Sequence, residues 1–319
     1  MIRPVLLAAA LLPTTVVAAE PAVTMIAQDE RRDLLIEGVA HHEGADFVSA
    51  VAAKTIFRVA DGKLVPFLKP DAATGAIFGM AVDGPRKVLW AAEAWGAGLP
   101  GGSGEKRTGL LKVSLADGAI LGRYPAPAGE AVQFGDVVVD PAGAVYASDG
   151  RTGAIWSFAP GASAVSLVSR PKGVTSAQGM VLCPLDVMVV SDYATGLHRV
   201  ELVGGASRPL AVTGLKVAGL DGLVSLSVRD HLDVVATYNG AEPYRLMRLK
   251  ISADCERLEA AETLLKGDAM KDVALAARAP GGVVVVTGSQ WAGWTGQGVR
   301  NDADPGPATV ALVPLAPQP

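Results

Sequence analysis

The sequence predicts an all-β fold: a six-bladed β-propeller of four-stranded antiparallel blades, closed by an N-terminal strand that joins the last blade. Three observations predict it. Apolar runs of strand length recur along the whole chain. Clusters of Gly, Pro, Asp and Asn separate them and supply tight turns. Each repeat opens with a polar residue leading into an apolar strand, at a mean spacing of roughly 47 residues, within the range of propeller blades.

The opening strands are IEGVAHH (36–42), FGMAVD (78–83), FGDVVVD (134–140), AQGMVLCP (177–184), LDGLVSL (220–226) and KDVALAA (271–277). From Gly38 through Gly79, Gly135, Gly179 and Gly222 to Asp272, the steps are 41, 56, 44, 43 and 50 residues. A second apolar run follows each: FVSAVAA, VLWAAEA, VYASDG, VMVVSDY, LDVVATY and VVVVTGS. Outer strands come next, as in TIFRVADGKLVPFL (55–68), AIWSFAPGASAVSLVS (154–169) and GLHRVELVGGASRPLAV (196–212). RLEAAETLLKG (257–267) also suits a helix, but its place in the register makes it an outer strand. The sixth repeat stops at VALVPL (310–315) without a fourth strand, and AVTMIAQ (22–28) supplies one, removing exposed sheet edges. A β-sandwich or a pair of smaller β domains is the competing arrangement; even spacing over the full length favours the ring.

Residues 1–19, MIRPVLLAAALLPTTVVAA, place Arg3 ahead of a short apolar core and end on small residues. This is the pattern of a secretory signal peptide, leaving 20–319 as one propeller domain in a secreted, bacterial periplasmic protein. The competing reading is a membrane anchor, but Pro13 and a core of about ten residues fall short of the roughly 20 that a span needs. Half of the 319 residues are hydrophobic and only 19% are charged, which excludes a disordered chain. A net charge of −4 excludes a global basic field, so neither nucleic acid nor stable membrane insertion is expected. The expected partner is a small molecule, with the protein itself a monomer. Cys183 and Cys255 fall in different repeats and read as two free thiols, although an oxidising compartment would permit a bridge.

In a propeller the opening strand of each blade lines the central channel, and its first residue sits near one mouth. Glu37, Gln178 and Asp221 fall there, with Asp136 and Asp272 one position offset. Four carboxylates and an amide on a narrow channel repel one another unless a cation is present, and oxygen donors suit a hard cation. The same residues would equally serve as strand caps that bind turn amides. Two long Gly-rich loops, 93–107 and 288–307, reach the same mouth with Trp95, Trp291 and Trp294. Loops of that length are usually functional or disordered. Shorter loops there carry Asp149, Arg151, Asp192, Tyr193, Asn239 and Arg245.

IEG at 36–38, FGDVVVDPAGAVYASD at 134–149, AQGMVL at 177–182 with SDYATGLHRV at 191–200, and LDGL at 220–223 with YNG at 238–240 resemble the senescence marker protein/gluconolactonase (regucalcin-like) family. The resemblance implies a six-bladed propeller with a divalent ion in its channel and, in many members, hydrolysis of sugar lactones. It makes Glu37 and Asp221 metal ligands, and Asp221 also the general base. Gln178 stands where the family has a ligating Asn. Gly135 stands where many members have an Asn that contacts metal or substrate, so one side chain is missing, and Asp136 matches the Asp beside it.

The reading that results is a metal-dependent lactonase or esterase-type hydrolase. Its cation is Ca²⁺ first, with Mg²⁺, Mn²⁺ or Zn²⁺ as alternatives, held by Glu37, Gln178 and Asp221. Asp136, Arg151, Asp192, Tyr193 and Asp272 are the expected substrate contacts. The alternative is a non-catalytic periplasmic propeller that binds a small ligand or a protein partner. No serine-hydrolase elbow or phosphate-binding loop is present in the sequence.

Overall fold

The first blade shows how local sequence builds the repeat. Ile36–His42, Ala45–Ala50, Thr55–Ala60 and Lys63–Pro66 pair in chain order. Glu43-Gly44 and Asp61-Gly62 reverse the chain with both residues of each pair at positive φ, the backbone that two-residue hairpins need. The computed structural model describes residues 22–212, 217–295 and 297–315. The expected leader at 1–19 lies outside them.

Six such sheets form the ring, and neighbouring inner strands pack side by side around the channel. The inner strands after the first are Ala76–Asp83, Phe134–Val139, Ala177–Cys183, Leu220–Val228 and Ala276–Ala279. Thr24–Asp29 pairs antiparallel with Ala308–Pro314 as the outer strand of the sixth blade, so the two ends of the chain share one sheet. Arg257–Lys266 is a ten-residue strand. The fifth blade departs from four strands, because Ala211–Val212 adds to it in parallel beside Arg257–Leu258. The sixth inner strand also starts later than 271. Asp272 reaches the sheet only through one bridge to Gly288, since its carboxylate is drawn into the loop that follows.

A recurring bulge positions the channel mouth. In five blades the pairing of the first two strands slips at the same place: Ile36/Val39, Ile77/Met80, Phe134/Val137, Ala177/Met180 and Leu220/Leu223. The two residues inside each slip have separate duties. The first of the pair stands at the mouth, as Glu37, Gln178 and Asp221 do. The second packs on the next blade, and there a side chain rarely fits. A Cβ on Gly38 would stand 2.6 Å from the Phe78 carbonyl oxygen, and one on Gly179 2.4 Å from that of Asp221. A hydroxyl from the second strand satisfies the amide that the bulge exposes: Ser49 for Gly38, Ser148 for Asp136 and Thr237 for Gly222.

Apolar side chains between blades supply the bulk of the stability, at about 1.5–3 kcal/mol for each fully buried Val, Leu or Ile. Between the second and third blades, Trp90, Tyr124 and Phe158 form an aromatic contact with ring centroids 4.1–5.6 Å apart. Cys183 and Cys255 are disulfide-bonded, with Cα atoms 6.4 Å apart, which corrects the expectation of two free thiols. Cys183 ends the fourth blade's inner strand, whereas Cys255 lies in an outer turn of the fifth. Both pack in one apolar cluster that spans the two blades, so different repeats still meet at one seam.

Candidate functional site

Glu37, Gln178, Asp221, Asp272 and Tyr193 line one pocket of about 460 Å³ at the channel mouth. Asn239, Tyr244, Trp291, Ser176 and Val273 complete its wall. No Lys, Arg or His lines it. Burial therefore acts on carboxylates that have no counter-charge, and repulsion adds to it. Burial pushes Glu37 well above the ordinary range, Asp221 adds to the rise, and Asp272 and Asp136 add less; the Trp291 indole opposes them. Asp221 is pushed up to about 6 by burial, against the hydrogen bond from Asn239. Asp272 is raised by burial while Ser289 and the amides of the following loop pull it down.

Each mouth residue is held by a partner that sequence spacing does not reveal. Trp291 Nε1 donates to Glu37 Oε2 at 2.5 Å across 254 residues. Asn239 Nδ2 donates to Asp221 Oδ2 at 2.8 Å and to the Val273 carbonyl at 3.2 Å. Tyr193 Oη donates to Asn239 Oδ1 at 3.0 Å, so Tyr193, Asn239 and Asp221 form one chain. Burial and the neighbouring acids push the Tyr193 phenol up to about 12, which keeps it a donor. Gln178 Nε2 donates to Ser176 Oγ at 2.7 Å, leaving its carbonyl oxygen without a donor among the described residues.

Asp136 sits one step deeper than the others. It occupies the second position of its bulge, where the other blades hold glycine, and it lines the inner channel cavity of about 380 Å³. Its Oδ1 accepts from Val137 N at 2.8 Å, and burial together with Asp221 pushes it up to about 7. Gly135 takes the mouth position instead, and a Cβ there would find Ser148 Oγ no nearer than 3.8 Å. Asp136 therefore faces the channel beneath the pocket that Glu37, Asp221 and Asp272 share. Among the described residues no three His, Cys, Asp or Glu side chains form a metal-binding group. What remains for a cation is Glu37 and Asp221, with the free amide oxygen of Gln178.

Asp192 and Arg151 stand elsewhere. Asp192 is fully buried, and its carboxylate accepts from the amides of Thr175, Ser176, Ala194 and Thr195 at 2.7–3.1 Å. Those donors outweigh its burial and hold its pKa below the usual range. It is the clamp of its loop, and it has no lone pair facing a ligand in the mouth pocket. Asp149, Glu93 and Gln290 perform the same task at the equivalent places, accepting from Gln133, Gly75, and Leu34 and Leu35. Arg151 lines the rim outside the acidic pocket. Asn239 is the residue whose role the sequence left unassigned; it follows the fifth blade's second strand, at the register position that Tyr193 and Gly150 hold in the fourth and third blades.

The two long loops touch each other. A Cβ on Gly298 would lie 2.5 Å from the carbonyl carbon of Leu99, so the loop of blade 6 rests on that of blade 2. Between them lies a rim cavity of about 280 Å³ that shares Trp291 with the acidic pocket.

No family model matches this chain, and no curated protein does. Solved structures do. A glucose dehydrogenase is similar over 93% of this chain and 100% of its own, with 15% identity and a TM-score of 0.65. The PQQ-bound aldose sugar dehydrogenase of Streptomyces coelicolor is similar over 92% and 99%, with 15% identity and a TM-score of 0.57. A luciferin-regenerating enzyme is similar over 92% and 95%, with 14% identity and a TM-score of 0.59. These likenesses show the β-propeller fold that this chain shares with them.

Proposed function

We propose that this protein is a divalent-cation-dependent hydrolase of small lactones or related esters, working at the acidic mouth pocket. One observation carries the reading: two carboxylates, Glu37 and Asp221, and a free amide oxygen of Gln178 share a pocket with no basic side chain. Oxygen donors with uncompensated negative charge suit a hard cation such as Ca²⁺. These are also the positions at which the chain resembles the regucalcin-like group. When bound, such a cation polarises the ester carbonyl and acidifies water.

The chain's own residues supply the rest. Asp221 takes the proton of the attacking water and returns it to the leaving alkoxide. Asn239 fixes the orientation of that carboxylate through its 2.8 Å hydrogen bond. Tyr193 and Trp291 wall the pocket and restrict water. The disulfide supports export to an oxidising compartment such as the periplasm, where such bridges persist.

The test is thermal melting of the purified protein with and without chelator, titrated with Ca²⁺, followed by a screen of lactones. A saturable rise in melting temperature that Asp221→Ala abolishes, together with lactone turnover, supports the reading. No response to any divalent ion overturns the metal-dependent reading, leaving a ligand-binding propeller as the better description.

A further inference from the structure

The rim cavity beside the acidic pocket has the opposite character. Lys106 and Arg151 both line it, and neither side chain forms an ion pair among the described residues. Some arginines of the blades are committed to carboxylates: Arg123 to Asp71 and Glu93, Arg248 to Asp233, and Arg170 to Glu130. The walls are aromatic, from Phe78, Trp291 and Trp294. A third cation, Arg300, lies over the Trp294 ring at 5.5 Å and donates to the Arg32 carbonyl.

Two cations without an ion pair among the described residues, together with flat apolar walls, form a receptor for a ring that carries an anionic group.

We propose that this cavity is an anion subsite, and that the small molecule taken at this face carries a ring-borne carboxylate. The proposal rests on the acidic pocket as the reacting end, and it deepens that reading by naming the substrate's other end. Trp291 borders both cavities, so a ligand that stacks on it reaches Glu37 and Asp221 at one end and Lys106 and Arg151 at the other. The cations of the rim hold the anionic group, which orients the ester toward Glu37 and Asp221. Specificity thus arises from opposite charge on the two sides of one indole.

The test needs no turnover. Benzoate and benzamide, which match in shape and differ in charge, are titrated calorimetrically into the full protein at low ionic strength. Benzoate is expected to bind at least tenfold more tightly, and a Lys106→Gln/Arg151→Gln double variant to lose that preference. Both side chains are exposed, so the double variant is expected to melt with the parent. Equal binding of the two probes, absence of benzoate binding, or a preference that survives the double variant would overturn the subsite. Because heat of binding is read, a failure here is distinct from a failure of Ca²⁺ binding or lactone turnover. If lactones are hydrolysed, those bearing a carboxylate should exceed neutral ones tenfold in kcat/KM, and the double variant should remove the difference.

Discussion

Asn239 donates from Nδ2 to Asp221 Oδ2 at 2.8 Å, and this contact orients the carboxylate and opposes the rise in pKa that burial imposes on it. The bond favours the charged form and so holds the pKa of Asp221 below the level that burial alone would impose. Asn239→Ala is expected to raise that pKa, since the opposing contribution is lost. Supporting residues around a metal site commonly contribute about 10–100-fold in affinity. Calcium titration of the variant should therefore show a loss of that order at pH 7, with a smaller loss at pH 9, where Asp221 is ionised regardless.

Asp136, together with Glu37 and Asp221, makes stability depend on pH between mildly acidic and neutral conditions. Its folded pKa of about 7 lies above the ordinary 3.8, so the folded state holds its proton more tightly than the unfolded state does. Its contribution is complete below about pH 4 and is lost as pH rises through 7. The melting temperature without divalent ions should therefore fall between pH 5 and pH 8. Asp136→Asn keeps an acceptor for Val137 N and removes the charge beside Asp221. It should melt above the parent at pH 8 and flatten the pH profile; a profile as steep as the parent's would show that Asp136 does not set it.

The bulge glycines divide into two kinds. A Cβ at Gly38 would meet the Phe78 carbonyl at 2.6 Å and Gly79 Cα at 3.1 Å, both backbone atoms that cannot move aside. Gly38→Ala is expected to cost about 1–3 kcal/mol by overpacking. At Gly135 the nearest atoms stand at 3.8 and 3.9 Å, so Gly135→Ala should leave the melting temperature within about a degree. Denaturation of the two variants side by side checks the contrast.

The Cys183–Cys255 bridge spans 72 residues and ties the fourth blade to the fifth. Removing a cross-link of that span releases loop entropy in the unfolded chain and costs about 2–5 kcal/mol. The Cys183→Ser/Cys255→Ser variant should unfold at lower denaturant than the parent, and reductant should shift only the parent.

Asp192 separates structural from binding roles. Asp192→Ala leaves the amides of Thr175, Ser176, Ala194 and Thr195 without their acceptor, and each buried unpaired group costs about 1–3 kcal/mol. A fall in stability is expected, with little change in the KM of any substrate that the parent turns over. A raised KM with unchanged melting would make Asp192 a ligand contact after all.

The sequence by itself determined the architecture. Strand-length apolar runs, turn glycines and an even repeat are local signals, and each blade is built from neighbours in the chain. It also placed Glu37, Gln178 and Asp221 at the mouth, because the first residue of an inner strand has one place to go once the ring closes. Tertiary structure decided the rest. The same bulge occurs in both blades, and it turns the one-residue offset between IEG and FGD into a difference of depth: Asp136 turns into the channel whereas Glu37 stays at the mouth. Asp192 ends its blade's second strand and Asn239 follows the next one's, but only the surrounding structure determines that one clamps amides and the other holds a carboxylate. Trp291 and Glu37, like Cys183 and Cys255, meet only because the ring brings distant segments to one seam. Period-two patterning specifies which face a side chain takes; it carries no information about which distant blade supplies its partner.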